Sequence, residues 1–133
     1  MLKKTVTFED YNGVSHTEDF YFNLSKKELM EVAIRDRLME NIERIQAEKD
    51  NAKIFKAMSN IILMAYGKKS HDGRLFIKSE DVVEDFRWSG AFDEVVFSVV
   101  QSPEEASEFI RNVVPQDMAA ELKAKLDEIE STS

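Results

Sequence analysis

IFKAMSNIILMAYG, residues 54–67, is the most apolar stretch of this 133-residue chain. Its apolar residues recur at helical spacing and form one wide hydrophobic face, made of Ile54, Phe55, Met58, Ile61, Ile62, Ala65 and Tyr66. The second half of the stretch is apolar nearly all round, so other elements must cover it on several sides. We therefore predict the central helix of the domain here. Gly67 would close it in a left-handed conformation, with Lys68 and Lys69 beside the negative end of the helix dipole.

Composition and charge limit the classes of protein to consider. Hydrophobic residues make up 43% of the chain and charged residues 33%, a balance typical of a soluble globular domain. The length suffices for a core without disulfides, and the chain has no cysteine to form them. The formal net charge of -8 argues against nucleic acid and anionic membranes as partners and suits a partner with basic patches. The lack of cysteine fits a reducing cytoplasm, and no apolar run suits a signal peptide or is long enough to span a bilayer.

Residues 4–24 predict a β-hairpin that leads into a helix. Two runs rich in Thr, Val, Phe and Tyr flank the turn at residues 10–13. A two-residue loop would pair Val6 with Asp19, whereas a three-residue loop at residues 11–13, a G1-bulge turn, avoids this mismatch. One face then carries Val6, Phe8, Phe20 and Phe22, and the opposite face carries Thr5, Thr7, Thr17 and Asp19. We predict the bulged turn, with the first face packed on the core.

Capping signals and apolar spacing predict a helix before the central one. Ser25 and Glu28 form a capping box, and Leu24 can pack on Leu29 across the helix start. The apolar side of this helix consists of Met30, Ile34, Leu38, Ile42 and Ile45. The pattern lapses near residues 48–51, where Asp50 or Asn51 can cap the central helix.

The second half of the chain alternates turn signals with apolar runs. After a polar loop, residues 75–77 are an extended run that either adds a strand to the hairpin or crosses the core. Ser79 begins a helix that Ser89 and Gly90 interrupt. We predict helix for residues 92–100, although a strand competes because the run from Val95 to Val100 is strongly β-branched. Ser102 and Pro103 begin a further helix that Pro115 ends.

The last segment, residues 116–133, predicts an amphipathic helix with a short tail. Its apolar stripe consists of Met118, Leu122, Leu126 and Ile129. The stripe either packs on the single globular domain of residues 1–115 or binds a partner. The fold class we predict is α+β, an N-terminal β-hairpin packed on a bundle of about five or six helices.

Side-chain chemistry indicates no catalytic, cofactor or metal site. His71 and Asp72 are the candidates for a metal site or a small enzyme, but no spaced set of further His or Cys ligands accompanies them. Neighbouring acids such as Glu80 and Asp81 stabilise helix starts rather than face each other across a cleft. We expect Trp88 to pack in the core rather than to stack on a ligand or nucleic acid.

The order of several short motifs resembles the tail assembly chaperones of long-tailed, siphovirus-like bacteriophages. These motifs are TVTF (5–8), YNG (11–13), EDFYFNLSK (18–26), AYG (65–67), DGRLFIKS (72–79), the run 92–100, SP (102–103), FI (109–110) and VP (114–115). The resemblance covers roughly residues 4–115.

The resemblance implies a non-enzymatic factor without cofactors in the cytoplasm of the bacterial host. Such proteins bind the tape-measure protein, help to recruit tail-tube subunits and are absent from the mature virion. The alternatives are an adaptor retained in the particle and a small enzyme that uses His71 and nearby carboxylates, and a homo-oligomer stays open. For partner binding we name two candidate surfaces: the C-terminal stripe, and the outer face of the hairpin with Thr5, Thr7 and Tyr21.

Overall fold

The computed structural model describes residues 1–47 and 50–115 and has the predicted α+β architecture. The predicted C-terminal stripe of Met118, Leu122, Leu126 and Ile129 lies outside the described residues. In chain order the elements are β1 (Leu2–Glu9), β2 (Ser15–Phe22), α1 (Lys26–Met30), α2 (Val32–Ala47), α3 (Asn51–Ala65), β3 (Tyr66–Lys69), β4 (Phe76–Ile77), α4 (Glu80–Arg87), α5 (Gly90–Val99) and α6 (Pro103–Val113).

The hairpin has the bulged turn and the register that the sequence predicts. Val6 lies opposite Glu18 and Thr7 opposite Thr17, and the Asp10 N–H donates to the carbonyl oxygen of Val14 at 2.9 Å, which leaves residues 11–13 as the loop. Gly13 has a φ of 79° and donates its N–H to the carbonyl oxygen of Asp10 at 3.0 Å. Because alternate side chains point to opposite faces, this register turns Val6 toward the core and Thr7 toward solvent.

Two further strands extend the hairpin into an antiparallel sheet with the order β1-β2-β3-β4. Tyr21 of β2 lies opposite Gly67 of β3, and Lys68 of β3 lies opposite Ile77 of β4. The run at residues 75–77 therefore contributes a strand. It reaches the hairpin only through β3, which the sequence analysis did not predict.

The predicted role of Gly67 as a left-handed helix cap is wrong. The central helix α3 ends at Ala65, and the extended conformation of Tyr66 (φ -65°, ψ 141°) starts β3 directly. Gly67 does not have a positive φ. A Cβ on Gly67 would lie 2.5 Å from the Phe76 ring, so the residue serves the close approach of β4 to β3.

The predicted first helix is divided into α1 and α2. The capping box is confirmed, since Ser25 Oγ accepts from the Glu28 N–H at 3.1 Å and Glu28 Oε1 accepts from the Ser25 N–H at 3.0 Å. Extended backbone at Glu31 (φ -78°, ψ 120°) then ends α1. Met30 consequently points to solvent, which contradicts its predicted place on the buried side, whereas Leu38 of α2 is buried as predicted.

The remaining helix boundaries follow the sequence signals closely. Asp50 caps α3 through the Ala52 N–H, and Ser102 Oγ caps α6 through the Glu105 N–H at 3.1 Å. The break at Ser89 separates α4 from α5, and α5 is a helix rather than the competing strand. β-Branched residues have a slightly lowered helix propensity, and the burial of Val95 and Val99 in the core offsets it.

The core lies between the sheet and the helices, with α3 at its centre. Met58, Ile61 and Ile62 of α3 are fully buried, as the apolar spacing predicts. Phe22 of β2 joins this core to an aromatic cluster on the sheet side. At Gly90, a Cβ would lie 2.7 Å from the carbonyl oxygen of Glu9, so glycine lets the start of α5 approach β1.

The hairpin turn should contribute to stability in a pH-dependent way. Asp10 accepts hydrogen bonds from the backbone of Asn12 and Val14, and its Oδ2 lies 2.8 Å from His16 Nε2. The hydrogen bond to His16, followed by that to Val14, holds the pKa of Asp10 below its ordinary value. A carboxyl with a lowered folded pKa adds stability above its unfolded pKa of about 4, and this is lost as the pH falls through the folded pKa.

Urea unfolding at pH 6 and at pH 3 would test this contribution through Asp10→Asn, which keeps an oxygen acceptor for the turn but does not titrate. We expect the variant to lose less stability between the two pH values than the original protein does. Glu9→Gln is the control, because the Glu9 side chain makes no hydrogen bond within the described residues. An Asp10→Asn variant with the full pH dependence would contradict the prediction.

Candidate partner-binding surfaces

The outer face of the hairpin is an exposed polar ladder that contains the predicted Thr5 and Thr7. Thr5 Oγ1 donates to Asp19 Oδ1 at 2.6 Å, and the hydroxyls of Thr7 and Thr17 lie 2.9 Å apart. These cross-strand bonds stabilise the sheet and use part of the hydrogen-bonding capacity of the ladder. The structure therefore brings Thr5 and Thr7 together on one accessible face.

Tyr21 is at the far end of this face and is half-buried. Lys69 Nζ lies 4.7 Å from the centroid of the Tyr21 ring, a cation–π distance. Tyr21 thus belongs to the junction of β2 with β3 rather than to the open threonine ladder. The three predicted hairpin residues therefore lie in two different places: Thr5 and Thr7 on the open ladder, and Tyr21 at the β2–β3 junction.

β1 is an edge strand of the sheet, with α5 beside it. A groove of about 360 Å³ runs along this edge, lined by residues 4–7 of β1 and by Glu94 and Ser98 of α5. Unpaired backbone groups at a sheet edge can accept another strand. A partner strand would have to enter between β1 and these two helix side chains.

Exposed apolar side chains are surface features that the sequence analysis missed. Met30 and Val32 are 76% and 72% exposed on either side of the extended Glu31. Trp88 is 73% exposed, which contradicts the predicted core position, and its Nε1 donates to Glu84 Oε2 at 2.8 Å. The apolar spacing of the sequence does not show that the helix is broken at Glu31. The exposure of Met30 and Val32 at the α1–α2 junction is therefore seen only in the structure.

The negative charge of the chain is concentrated in its second half. Residues 79–115 hold nine carboxylates against two arginines, whereas residues 1–78 hold twelve carboxylates against fourteen lysines and arginines. Eight of the nine carboxylates are on exposed residues, all except the half-buried Glu84. The surface formed by α4, α5 and α6 is therefore acidic and suits a basic partner.

His71 and Asp72, the residues considered for metal binding or catalysis, lie in an exposed loop. Asp72 Oδ1 accepts from Ser70 Oγ at 2.7 Å and from the Arg74 N–H at 3.1 Å, and these bonds lower its pKa and shape the loop. His71 is exposed beside it. Within residues 1–47 and 50–115, no three His, Asp or Glu side chains come together as metal ligands. In that same part of the chain, no helix combines the length and apolar character needed to cross a membrane.

A family model described as phage tail assembly chaperone matches residues 1–133, the whole of the chain. The chain belongs to this family. Neither the curated proteins nor the solved structures contain a match to it. The resemblance seen in the order of motifs across residues 4–115 is thereby confirmed, and the match also includes the C-terminal segment.

A partly buried ion pair in this tail assembly chaperone holds several elements together. Lys78 Nζ donates to the two carboxylate oxygens of Glu28 at 2.9 and 2.8 Å, and to the carbonyl oxygens of Asn23 and Met64 at 2.7 and 3.0 Å. Burial lowers the pKa of Lys78, and Glu28 opposes that shift. Since all of these partners belong to the scaffold, we assign the cluster to stability rather than to partner binding.

Proposed function

We propose that the chain binds the tape-measure protein and helps to recruit tail-tube subunits while the phage tail is assembled. Membership of the family over the full length of the chain is the observation that supports this proposal. The proposed role is non-enzymatic, because it requires only that the chain cover the surface of another chain. It would take place in the cytoplasm of the bacterial host, and the protein would be absent from the finished virion.

The α1–α2 patch, which we define as Met30 and Val32, is our candidate for contact with the client. Both side chains are largely exposed, and the neighbouring Ala33 is exposed as well. Covering them would remove apolar area from water, a gain of about 25 cal/mol for each Å² buried. The occupant that we propose is the apolar face of a tape-measure helix, packed against these two side chains.

Two further contacts are proposed from the sequence pattern. The stripe of Met118, Leu122, Leu126 and Ile129 would give residues 116–133 a second apolar surface for the client. The open edge of β1, the strand that carries Thr5 and Thr7, would accept an extended segment by strand addition, and Tyr21 at the β2–β3 junction would be a separate contact.

Co-expression with the tape-measure protein tests the proposal. We expect the client to co-purify with this chain and its soluble fraction to rise, because binding removes its apolar helices from aggregation by mass action. Met30→Gln combined with Val32→Gln should lower the amount captured by about threefold or more, as expected for losing two apolar contacts at an interface. Unchanged client solubility and no capture would refute the proposal.

A matched double variant distinguishes loss of the α1–α2 patch from the general effect of making the surface more polar. Tyr11→Gln with Val14→Gln removes two exposed apolar side chains from the hairpin turn, where Tyr11 is 86% and Val14 52% exposed. This control should capture the client as the original protein does. Equal losses in both double variants would show that the α1–α2 patch has no special part in binding.

Deleting residues 116–133 in the same assay tests the C-terminal contact. We expect weaker capture of the client together with a change in Tm of only a few degrees, because the deletion removes none of the described core residues. A large loss of stability would instead assign the segment to the folded domain. Mass spectrometry of purified particles decides the remaining alternative, since a retained adaptor would be present there and a chaperone absent.

A further inference from the structure

β1 has one open edge, because the strand order places it outermost in the sheet. Unpaired backbone groups at such an edge are a template for another strand, and proteins often block them with proline, a bulge or a very short strand. β1 has none of these features: it is eight residues long, contains no proline and pairs with β2 without interruption. We propose that this edge binds the β1 edge of a second copy of the chain, so that two copies form a symmetric dimer with one continuous antiparallel sheet.

The hairpin determines which backbone groups of β1 face the open edge. Asp10 donates its N–H across the hairpin to the carbonyl oxygen of Val14 at 2.9 Å. Hydrogen-bonded and non-hydrogen-bonded residues alternate along an antiparallel pair, so the even-numbered residues of β1 bond to β2 and the odd-numbered residues turn their N–H and C=O groups outward. The outward groups belong to Lys3, Thr5, Thr7 and Glu9. No backbone hydrogen bond between described residues engages them, so they are available to a second strand.

The charges on β1 favour one register for such a pairing. Outward residues of one copy must lie opposite outward residues of the other, and an antiparallel register centred on Val6 achieves this, with Thr5 opposite Thr7 of the second copy. The same register places Lys3 of each copy opposite Glu9 of the other, on the solvent face of the sheet. Centring the pairing on Thr5 or on Thr7 keeps the backbone bonds but separates the two charges. The register centred on Val6 therefore adds two cross-strand ion pairs.

Lys3 and Glu9 have no competing partner within their own chain. Both are exposed, and neither side chain makes an ion pair or a hydrogen bond with any residue that the structure describes. Across the hairpin, Lys3 lies opposite Tyr21 and Glu9 opposite Ser15, so β2 places no charge directly opposite either of them. The two charges are thus free to pair with a second copy.

The groove beside β1 carries balanced charge. Lys4 and Glu94 both line it, so a dimer would bring two lysines and two glutamates to the joined grooves. At one end, Gly90 of α5 approaches the carbonyl oxygen of Glu9, where a Cβ would lie only 2.7 Å away. The paired segment is therefore confined to residues 3–9, which gives a small interface and a reversible dimer.

Sedimentation velocity of the full chain over a range of concentrations tests the proposal. We expect monomer and dimer in reversible equilibrium, with a dissociation constant in the micromolar range. Glu9→Lys would place lysine opposite lysine twice and should raise the dissociation constant about tenfold or more, although it makes the net charge of -8 less negative. Glu108→Lys makes the same change of charge on the exposed side of α6 and should not weaken association. A protein that stays monomeric up to about 1 mM would overturn the proposal.

Exchanging the two charges tests the register. Lys3→Glu combined with Glu9→Lys restores opposite charges across the two strands and should return the dissociation constant to within about threefold of its original value. An exchange that fails to restore association, or a Glu108→Lys variant weakened as much as Glu9→Lys, would overturn the proposal.

Amide hydrogen exchange tests the same contact without any substitution. In the dimer the N–H groups of Thr5 and Thr7 become hydrogen-bonded, whereas that of Val6 is bonded to β2 in either state. At about ten times the dissociation constant only about one fifth of the chains are free, so exchange at Thr5 and Thr7 should slow about fivefold relative to dilute protein, with Val6 unchanged. A dimer that leaves exchange at Thr5 and Thr7 unchanged would use another surface and would overturn the proposal.

The dimer goes beyond the proposed function, because it requires no client. Since the edge holds one strand at a time, a client segment added there would displace the second copy. A chain that stays monomeric but captures the tape-measure protein would support the proposed function and reject the dimer. A dimer that captures no client would do the reverse.

Discussion

Lys78→Met should lower the free energy of unfolding by about 3 kcal/mol. The substitution keeps an unbranched apolar stem but removes the ammonium group from four acceptor oxygens. Glu28 would keep its partly buried charge without the cation, and the carbonyl groups of Asn23 and Met64 would lose a donor. Urea unfolding at neutral pH measures the loss. Lys68→Met is the control, because Lys68 is exposed on the neighbouring strand, and should change stability by no more than about 0.5 kcal/mol.

A double-mutant cycle would show whether the loss arises from the ion pair. Glu28→Gln removes the charge but keeps an oxygen that can accept from the Ser25 N–H in the capping box. Combined with Lys78→Met, it should cost clearly less than the sum of the two single losses, with a coupling of at least about 1 kcal/mol. Additive losses would mean that Lys78 acts through its carbonyl contacts alone.

The sequence predicts best where the determining contacts are local. The hairpin register follows from the Asp10 to Gly13 turn together with period-two alternation, and both are encoded within about twenty residues. The same holds for the capping residues Ser25, Asp50 and Ser102. In each case one side chain satisfies backbone groups only a few residues away.

Prediction from the sequence fails where a contact between residues distant in the chain determines the backbone conformation. Ala65-Tyr66-Gly67 has the pattern of a helix end followed by a cap, yet Tyr66 starts β3 because it pairs with Phe22, 44 positions earlier. Gly67 is needed for the ring of Phe76, another non-local contact. Neither partner can be read from the neighbourhood of residue 67.

The candidate surfaces were predicted only in part for the same reason. Thr5 and Thr7 share an exposed face because strand alternation requires it. The exposure of Met30 follows from the extended Glu31, which interrupts an apolar spacing that continues into α2. The role of Lys78 has no signal in the sequence at all, since its partners Asn23, Glu28 and Met64 come from distant positions. The family was recognised from motif order, which survives even where the local structure is misjudged.

Phe22→Ala should lower the free energy of unfolding by about 4 kcal/mol. Phe22 has 0% exposure, and its ring centroid lies 5.4 Å from that of Phe109 and 5.9 Å from those of Tyr66 and Phe86. The cavity would therefore open where β2, β3, α4 and α6 meet, and no single element could move to fill it. Such a loss is a large fraction of the roughly 5–15 kcal/mol that stabilises a typical domain.

Far-UV circular dichroism in urea is the appropriate measurement, because the single tryptophan, Trp88, is 73% exposed and reports poorly on the core. Phe97→Ala is the matched control: Phe97 is 58% exposed, and within residues 1–47 and 50–115 its ring has one aromatic contact, with Phe55. It should cost about 1 kcal/mol or less, with Phe22→Leu between the two because leucine fills part of the site. Burial of Phe22 between the sheet and the helices predicts a loss of free energy of unfolding several times larger than that of Phe97→Ala. Equal losses in Phe22→Ala and Phe97→Ala would contradict this role of Phe22.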